Sequence, residues 1–486
     1  MTLLALIAVA GVGGVASMLV GRIRRALGTT IGVATALVVL ILAIAMPAED
    51  SVRIGASGLV LTDLVRGIAV VWSISVMVLA LLELGTGTST VTGPALLALA
   101  VAVAALAATD PFTSFAALGA GSLAGIIVPG AGAGPSGGAP SVRLATLARG
   151  SFAILGASVL AIGVVAWGAS PIGPIGASPF VLSGESMRMA LGAGLLTIVG
   201  AVALRAGLIP LHVWAARFME GVTPLAVPAA FAWGTAAFVL VALAWSQVTI
   251  GESIAGDGLE HLVIVGLAVT SVAFGGLAAM IHDDLEHVLG YSILQDAGVA
   301  VLAFATLDTE AVAAARTWLV ASAATKTAFA AWVAVTRTAF AEHRLAELGG
   351  WARRGPILGV AFGLTWLAAV GIPGTALFDA RTELVFGALP GLPGVVVLVV
   401  ALTPIGYLGR VAIAGLGAPV GAVAATPPTT FRVPGTRAGG WSRASLVQVA
   451  RSVSGGVQEY RVLLMAIGVL VLAVVAIVLS VAGRLG

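Results

Sequence analysis

Cysteine is absent from the 486 residues of this chain, and lysine occurs once. Without thiols, disulfides, thiolate zinc sites and iron–sulfur clusters are excluded, so any redox chemistry must reside in other subunits. Charged residues are also scarce at 9%, whereas 59% of the chain is hydrophobic and the mean hydropathy is +1.12. This composition lies far outside the range of soluble globular proteins and indicates an integral membrane protein.

Long apolar runs predict an all-α, polytopic fold, because lipid cannot satisfy backbone hydrogen bonds and about 20 apolar residues cross a bilayer as a helix. We predict about fourteen membrane-spanning helices on that length criterion. They lie near 3–21, 29–47, 66–85, 92–109, 112–130, 148–168, 187–217, 225–246, 259–281, 286–306, 311–337, 355–388, 392–415 and 461–483. The segments 187–217 and 355–388 are too long for simple spans. Each contains glycine or proline near its middle, which predicts helices broken near 205–212 and 371–384.

The distribution of arginine predicts sidedness. With an external amino terminus, most arginines outside the spans fall in internal loops, whereas only Arg53, Arg66, Arg188 and Arg484 fall outside, with Arg316 near that boundary. The positive-inside rule therefore predicts a multi-pass protein of the inner (cytoplasmic) membrane with both termini on the external side. The first apolar run lacks a basic start and a small-residue cleavage site, so it is interpreted as a retained helix.

Two Gly/Pro-rich stretches, 129–142 and 416–440, predict flexible cytoplasmic loops. They help to divide the chain into parts. We predict amino-terminal helices 1 to 4 in 1–109, a core of helices 5 to 13 in 110–415, a cytoplasmic Gly/Pro/Arg loop in 416–460 and a last helix in 461–486.

Lys326 is the single lysine, and it lies in the middle of the apolar run LVASAATKTAFAAWVAV. A charge at the bilayer centre costs at least ~2.5 kcal/mol, so a residue kept there is a functional candidate. A buried lysine can exchange a proton near neutral pH, whereas an arginine stays protonated. The alternative is a lysine that snorkels or pairs with a nearby acid. Asp296, within a neighbouring predicted span, is a natural partner.

Further ionisable residues fall at the two predicted breaks. Arg205 and His212 flank the first, and Asp379, Arg381 and Glu383 follow the second. Unwound backbone leaves helix ends whose dipoles and free carbonyls can face an ion or water. Equally, the last three residues could form a self-neutralising cluster.

Other polar groups carry weaker signals. Glu83 lies near the cytoplasmic end of its predicted helix and is expected to reach the interface. The run HDDLEH at 282–287 is interpreted as a solvated charge run, since its spacing matches no zinc pattern. No phosphate-binding loop or Ser/His/Asp set is present, so we expect no cofactor, no metal and no soluble-type active site. The chain has 24 Lys and Arg residues against 21 Asp and Glu residues, and this small excess gives no reason to expect nucleic-acid binding.

The run RAGLIPLHVWAARFMEGVTP (205–224) resembles the K-x-x-x-x-P-L-H-x-W-x-P-x-x-x-E-x-P-T-P signature of antiporter-like subunits of respiratory complex I, the chains L, M and N of NADH-quinone oxidoreductase. Their family includes Mrp antiporter subunits and membrane arms of energy-converting hydrogenases. Further stretches that resemble this family follow in the expected order. They are DDLEHVLGYSILQDAG (283–298), ATKTAFAAWVA (324–334) and LGGWARRGP with GIPGTALFDARTEL (348–384).

The resemblance implies an inverted-repeat architecture and a chain of intramembrane groups that moves protons. Carried over by position, the helix-seven lysine of the family is Arg205 here, the helix-eleven lysine remains Lys326 and the helix-twelve lysine or glutamate is Arg381. The helix-five glutamate falls on Gly119, and the run 225–238 on helix eight has no ionisable side chain. Two arginines and a glycine cannot change protonation near neutral pH, which predicts an altered relay. The implied ion path comprises Lys326, Arg205, Arg381, Asp296, His212, Asp379 and Glu383.

The leading hypothesis is therefore a membrane subunit of a complex I-like, Mrp-like or hydrogenase-linked assembly that translocates, or formerly translocated, protons or sodium ions. Its partners would be other membrane subunits and the lipid bilayer. It would be at most the ion-translocating subunit of a translocase, without cofactor chemistry of its own. The alternative is a non-conducting scaffold or a membrane partner of a soluble subunit, for example in a two-component inorganic-carbon transporter.

Overall fold

The computed structural model describes most of the chain, and its architecture is mainly α-helical. The described residues are 2–47, 50–54, 57–86, 91–132, 138–168, 184–251, 255, 258–340, 344–417 and 443–483. The helices of the first half are α1 (Thr2–Ile23), α2 (Arg25–Ala45), α3 (Asp63–Thr86), α4 (Thr92–Ala107), α5 (Pro111–Gly132), α6 (Gly138–Gly168), α7 (Gly184–Ala206), α8 (Val213–Gly221) and α9 (Gly234–Thr249). Those of the second half are α10 (Leu259–Ile281), α11 (Leu285–Val301), α12 (Thr309–Phe340), α13 (Trp351–Arg354), α14 (Pro356–Val370), α15 (Ala376–Ala388), α16 (Leu392–Ala401), α17 (Pro404–Leu416) and α18 (Arg443–Ala482).

One antiparallel hairpin, β1 (Ser51–Ile54) with β2 (Ser57–Val60), lies between α2 and α3 and was not predicted. Its register pairs Ser51 with Val60. Within the described residues, ten helices are long and apolar enough to cross a membrane, and three shorter apolar helices accompany them. Each predicted span coincides with helix, which confirms the polytopic helical fold. The count of fourteen crossings stays a prediction.

Both predicted broken helices are present. Helix α7 ends at Ala206, where Gly207 has a φ of 67°, and helical structure resumes at Val213. Helix α14 ends at Val370, where Gly371 has a φ of 62°. This left-handed region is open to glycine but strained for other residues, so each break falls where the sequence permits it. The second break covers 371–375, which is shorter than the predicted 371–384.

A third irregularity was not predicted. The span that leads into α9 starts with a 3₁₀ turn at Pro224–Ala226 and continues as a π-helix at Pro228–Trp233. π-Helical turns are rare and recur at functional sites. This one lies between two cavities, one beside Arg205 and the other beside Lys326.

Helix α12 forms the centre of the molecule. Its most apolar stretch is entirely buried, whereas only 28% of the corresponding stretch of α1 is buried. It packs against α3, α11, α15 and α18 and against the π-helical segment. Because α12 carries Lys326, the only lysine lies where protein rather than lipid surrounds it on all sides.

The predicted loop 129–142 is shorter than the sequence suggested. Helix α5 continues to Gly132 and α6 begins at Gly138, so only 133–137 of the predicted loop 129–142 lie outside the described residues. Most of the loop 416–440 lies outside the described residues, and α18 already begins at Arg443 within the segment 416–460. Glycine-rich composition leads to an underestimate of helix length near a membrane, because backbone N–H and C=O groups without hydrogen bonds are costly there.

Candidate functional site

Lys326 and Asp296 form an ion pair in the interior. The Nζ atom of Lys326 on α12 lies 3.0 Å from Oδ2 of Asp296 on α11, and the two side chains are 4% and 14% exposed. The structure therefore brings together the lysine and the acid that the sequence proposed as partners. Mutual neutralisation lets both charged groups stay in a region from which water is nearly excluded.

Two tryptophans hold this pair in place. The indole N–H of Trp318 donates to the backbone carbonyl of Asp296 at 2.8 Å. The indole N–H of Trp233, in the π-helical segment, donates to the hydroxyl of Thr327 at 3.0 Å. Both anchors are buried aromatic groups that use their one polar atom for a hydrogen bond. Sequence analysis missed them, although a tryptophan inside an apolar span is a usable signal for such a role.

A small cavity opens beside the ion pair. It has a volume of about 20 Å³ and is lined by Asp296 and Lys326 together with Phe231, Thr235 and Ser322. This volume is enough for about one water molecule. Within the described residues, the buried hydroxyl of Thr235 has no hydrogen-bond partner, so it is available to such a water. The cavity thus places one polar hydroxyl group beside the ion pair.

Arg381 is completely buried and caps the end of α14. Its Nη1 atom donates to the carbonyl of Val370 at 2.7 Å, and its Nη2 atom donates to that of Ala369 at 3.1 Å. The guanidinium also stacks 4.9 Å from the ring centre of Trp318 and lies within electrostatic range of Asp296. A positive charge at a helix carboxyl terminus is favourable, so Arg381 is a fixed charge that closes the second break.

The predicted self-neutralising cluster at this break is wrong for Arg381. Its two terminal nitrogens bond to carbonyl oxygens rather than to Asp379 or Glu383. The reason is helical geometry, because residues two apart on α15 point to different faces. Glu383 is exposed and lies near Asp308 and Glu310 instead.

Arg205 lies in a second, separate cavity of about 40 Å³. The side chain is 8% exposed, and helix α5 contributes Leu118, Gly121 and Ser122 to the same cavity. Gly119, where the resemblance puts a glutamate, does not line it. A Cβ atom at Gly119 would come within 3.0 Å of the ring of Phe152 on α6, so that face of α5 is already filled.

The span through the π-helix separates the two cavities. Ala229, Ala230 and Gly234 face the cavity of Arg205, whereas Phe231 and Thr235 face that of the ion pair. None of these side chains is ionisable, as the run 225–238 predicts. The partition between Arg205 and Lys326 therefore offers no group that could carry a proton from one cavity to the other.

His212, at the first break, is not among the residues that line the cavity of the ion pair. The ring of His212 packs 4.7 Å from that of Phe274, and the chain before it is held by a hydrogen bond from the backbone N–H of Ile209 to the hydroxyl of Ser271 at 3.1 Å.

Tyr407 was missed by sequence analysis. Its buried hydroxyl lies near Ser292 without a well-formed hydrogen bond, within electrostatic range of Asp296.

Glu83 is not an interfacial residue, which corrects the prediction. Its side chain is 1% exposed and accepts hydrogen bonds from Thr29, Val91 and Thr92. The hydroxyl of Thr92 donates to Oε2 at 2.7 Å, and its backbone N–H donates to the same atom at 3.1 Å. The carboxylate therefore closes the amino terminus of α4, where both the unpaired N–H groups and the helix dipole favour a negative charge.

The run 282–287 forms ion pairs at the surface, as expected for a solvated charge run. Asp283 pairs with Arg410 at 2.6 Å, and Glu286 pairs with Arg337. The carboxylate of Asp284 caps α11 by accepting from the backbone N–H of Glu286 at 2.9 Å. The imidazole of His287, whose Nδ1 atom lies 3.8 Å from Oδ2 of Asp284, lowers the pKa of Asp284, and the backbone N–H of Glu286 adds to this effect. In the part of the chain that the structure describes, no group of acids and histidines is arranged to hold a metal ion.

The chain is similar in sequence to known membrane proteins. Residues 178–406 match the family described as NADH:quinone oxidoreductase/Mrp antiporter, TM. Over 249 residues, the chain is 29% identical to NADH-quinone oxidoreductase subunit N 1 of Streptomyces griseus, a match that covers 50% of this chain and 51% of that protein. The chain thus spans about half the length of the curated relatives it matches.

Solved structures show the same fold over the full length. A chain of the Mrp complex from a Dietzia species superposes with a TM-score of 0.72 at 20% identity, covering 100% of this chain and 94% of that one. A chain of respiratory complex I from Thermus thermophilus superposes with a TM-score of 0.70 at 17% identity, covering 100% of both. Together with the sequence matches, they confirm the predicted resemblance.

Proposed function

Because residues 178–406 carry the antiporter-like membrane domain of the NADH:quinone oxidoreductase/Mrp family, we propose that this chain is the ion-translocating membrane subunit of a complex I-like or Mrp-like assembly. The observation that carries the proposal is the buried ion pair of Lys326 and Asp296. It joins the only lysine of the chain to an acid at 3.0 Å beside a cavity that fits a water molecule. An intramembrane pair of this kind is characteristic of ion pathways.

The pair supplies a proton-exchange step. In the closed state, the carboxylate of Asp296 stabilises the protonated amine of Lys326. Separation of the two groups removes that stabilisation, so a proton leaves Nζ for water in the cavity. Closure restores the attraction and draws a proton back. A conformational change in a neighbouring subunit that opens and closes the pair would thereby move protons.

The two buried arginines act as fixed charges in this scheme. Arg381 is held by two carbonyl oxygens, and Arg205 faces its own cavity. Neither releases a proton in the working pH range, so they set the local field and do not relay. His212, Asp379 and Glu383 are titratable and at least partly exposed at the two breaks, which fits exchange points with water.

We also propose the orientation of the chain, with both termini on the external side of the cytoplasmic membrane. The excess of arginine in the predicted internal loops supports this orientation. The turn 282–284 and the segment 344–350 then face the cytoplasm, and the hairpin β1–β2 faces outward. Other membrane subunits of the assembly would be the partners.

The test is proton or sodium movement by the purified native assembly in proteoliposomes, with substitutions in this chain. We expect Lys326→Ala and Asp296→Asn to lower transport about tenfold or more, because they remove the exchanging group or its counter-charge. Lys326→Arg keeps the charge but cannot deprotonate, so it should also fail. Arg316→Gln, which removes a different cation of α12, serves as the matched control and should transport normally.

Removal of one partner leaves a buried charge unpaired and can destabilise the chain. The double variant Lys326→Met with Asp296→Asn is neutral and therefore separates folding from transport. An assembled but inactive double variant supports the proposal. Normal transport by assembled Lys326→Ala and Lys326→Arg would overturn it and favour a scaffold role instead. Dependence on a sodium gradient rather than a pH gradient would identify the ion.

A further inference from the structure

Among the residues that the structure describes, Arg205 is a buried cation without a counter-charge. Its side chain is 8% exposed, and none of the carboxylates in the described ranges forms an ion pair with it. The sequence of α5, the helix across the cavity, contains no aspartate or glutamate. A guanidinium remains protonated, and an uncompensated buried charge is strongly unfavourable. Among the described side chains, no carboxylate supplies the compensating negative charge, so a bound anion is a source for it.

The space around the guanidinium is already shaped for a small guest. The cavity measures about 40 Å³, roughly three times the space that one water requires. A Cβ atom at Gly234 would come within 2.9 Å of Nη2 of Arg205, so glycine at this position leaves room for the guanidinium. The cavity wall is otherwise mainly apolar, with Trp72, Leu118 and Phe238 among its lining residues.

The polar groups at the wall do not replace an anion. The hydroxyl of Ser122 donates to the carbonyl of Leu118 at 3.1 Å, so its proton is already engaged. Water could solvate the guanidinium but would bring no charge. The bound species must therefore be negative, singly charged and little larger than water.

We propose that this cavity binds one small monovalent inorganic anion, of the halide class, against the guanidinium of Arg205. A single negative charge neutralises the arginine, whereas a divalent oxyanion would leave an excess charge and would need more donors than the wall offers. Apolar walls favour a weakly hydrated ion, so bromide should bind at least as well as chloride. The anion takes the place that a side-chain carboxylate on α5 would otherwise fill.

The first measurement is equilibrium binding of radiolabelled chloride to the purified native assembly in nanodiscs, with gluconate as the background anion. We expect one chloride per copy of this chain, displaced by bromide and not by sulfate. Arg205→Gln should abolish this binding. A cavity that holds water only would show no saturable chloride binding to the native protein, and that result would overturn the proposal.

A matched pair of variants tests the position of the site. Leu118 lines the same cavity and is 7% exposed. Leu118→Glu supplies an internal carboxylate and should abolish chloride binding, whereas Leu118→Gln has the same size without the charge and should retain it. Chloride binding that persists equally in Leu118→Glu, or in Arg205→Gln, would place the anion elsewhere and refute the assignment.

Thermal unfolding gives a readout that does not depend on these variants. The native assembly should unfold at a higher temperature in chloride than in gluconate at equal ionic strength, because a ligand that binds only the folded state stabilises it. Bromide should stabilise at least as strongly as chloride. Equal unfolding temperatures in chloride and gluconate at saturating salt would contradict the proposal. The outcome is independent of ion transport, so it stands or falls separately from the function proposed for Lys326.

Discussion

At the scale of single residues, three buried charges of this chain are stabilised in three different ways. Lys326 is neutralised by Asp296 at 3.0 Å, and Arg381 by the carbonyl ends of α14. Glu83 is surrounded by donors from α2 and from the start of α4. Each solution avoids an unpaired charge in a medium where water is excluded, and each depends on groups that another helix contributes.

Glu83 provides a stability prediction at this scale. Glu83→Ala leaves the hydroxyls of Thr29 and Thr92 and the N–H of Val91 without their acceptor. We expect a loss of about 3 kcal/mol in the free energy of unfolding, since several buried donors become unsatisfied. Glu83→Gln keeps one accepting oxygen and should cost about 1 kcal/mol.

Thermal or denaturant unfolding in detergent measures these differences. Glu347→Ala, at an exposed position, is the matched control and should change stability by less than about 0.5 kcal/mol. If Glu83→Ala unfolds like the Glu347 variant, the capping role is incorrect.

The sequence singled out Lys326 because a lone lysine in an apolar run is unusual whatever the fold. It misplaced Glu83, because position along a helix gives depth but not the donors that a neighbouring helix brings. It left open whether Arg381 forms a cluster with Asp379 and Glu383, which are close in sequence but lie on other faces of the helix.

At the scale of elements, both predicted helix breaks depend on glycines with positive φ. A Cβ atom at Gly371, whose φ is 62°, would lie 3.3 Å from the backbone nitrogen of Phe378. The break sets the carbonyls of Ala369 and Val370 free for Arg381. The geometry of the glycine and the position of the buried arginine are therefore coupled.

Gly371→Ala should destabilise the protein by about 1–2 kcal/mol, because an L-residue is strained in this backbone conformation. Gly363→Ala is the matched control on the same helix, since a Cβ atom there meets no neighbour within 4 Å. That substitution should be neutral or slightly stabilising, because alanine is the better helix former. Unfolding temperatures that fall equally for both variants would contradict the role assigned to the break.

Glycine and proline predicted these two breaks because they act locally on φ and on backbone hydrogen bonding. The π-helix at Pro228–Trp233 was not predictable in the same way. Its position depends on how Trp233 reaches Thr327 on α12, which is a tertiary contact. The length of α5 and α6 was likewise underestimated, because composition does not report the cost of an unpaired backbone near lipid.

At the scale of the whole molecule, α12 is surrounded by other helices. It carries Lys326, and Asp296 on α11 and Arg381 on α15 contact it. The two cavities lie on either side of the span that contains the π-helix. Arg205 lies in one of these cavities, and the pair of Lys326 and Asp296 lies in the other. The fold is similar to that of chains of the Mrp complex and of respiratory complex I, and no ionisable side chain in the run 225–238 connects the two cavities.

The proposed orientation makes a prediction at this scale. Because the native chain contains no cysteine, single cysteines can be introduced without removing others. Ser51→Cys lies in the hairpin and Ala346→Cys in the segment before α13, and both positions are exposed. In right-side-out vesicles, a membrane-impermeant maleimide should label S51C and not A346C, and inverted vesicles should give the opposite result. Labelling with the sides exchanged would reverse the orientation, and the cysteine-free native chain provides the blank.

The sequence by itself determined the helical membrane architecture and the two broken helices, and it singled out Lys326 as a candidate. Each of these follows from local or compositional physics: the length of apolar runs, the backbone freedom of glycine and the cost of a charge in lipid. Only the tertiary structure decided which groups neutralise each other. The pairing of Lys326 with Asp296, the capping of α14 by Arg381 and the cavity at Arg205 all depend on which helices pack together, because electrostatic interactions act across space and not along the chain.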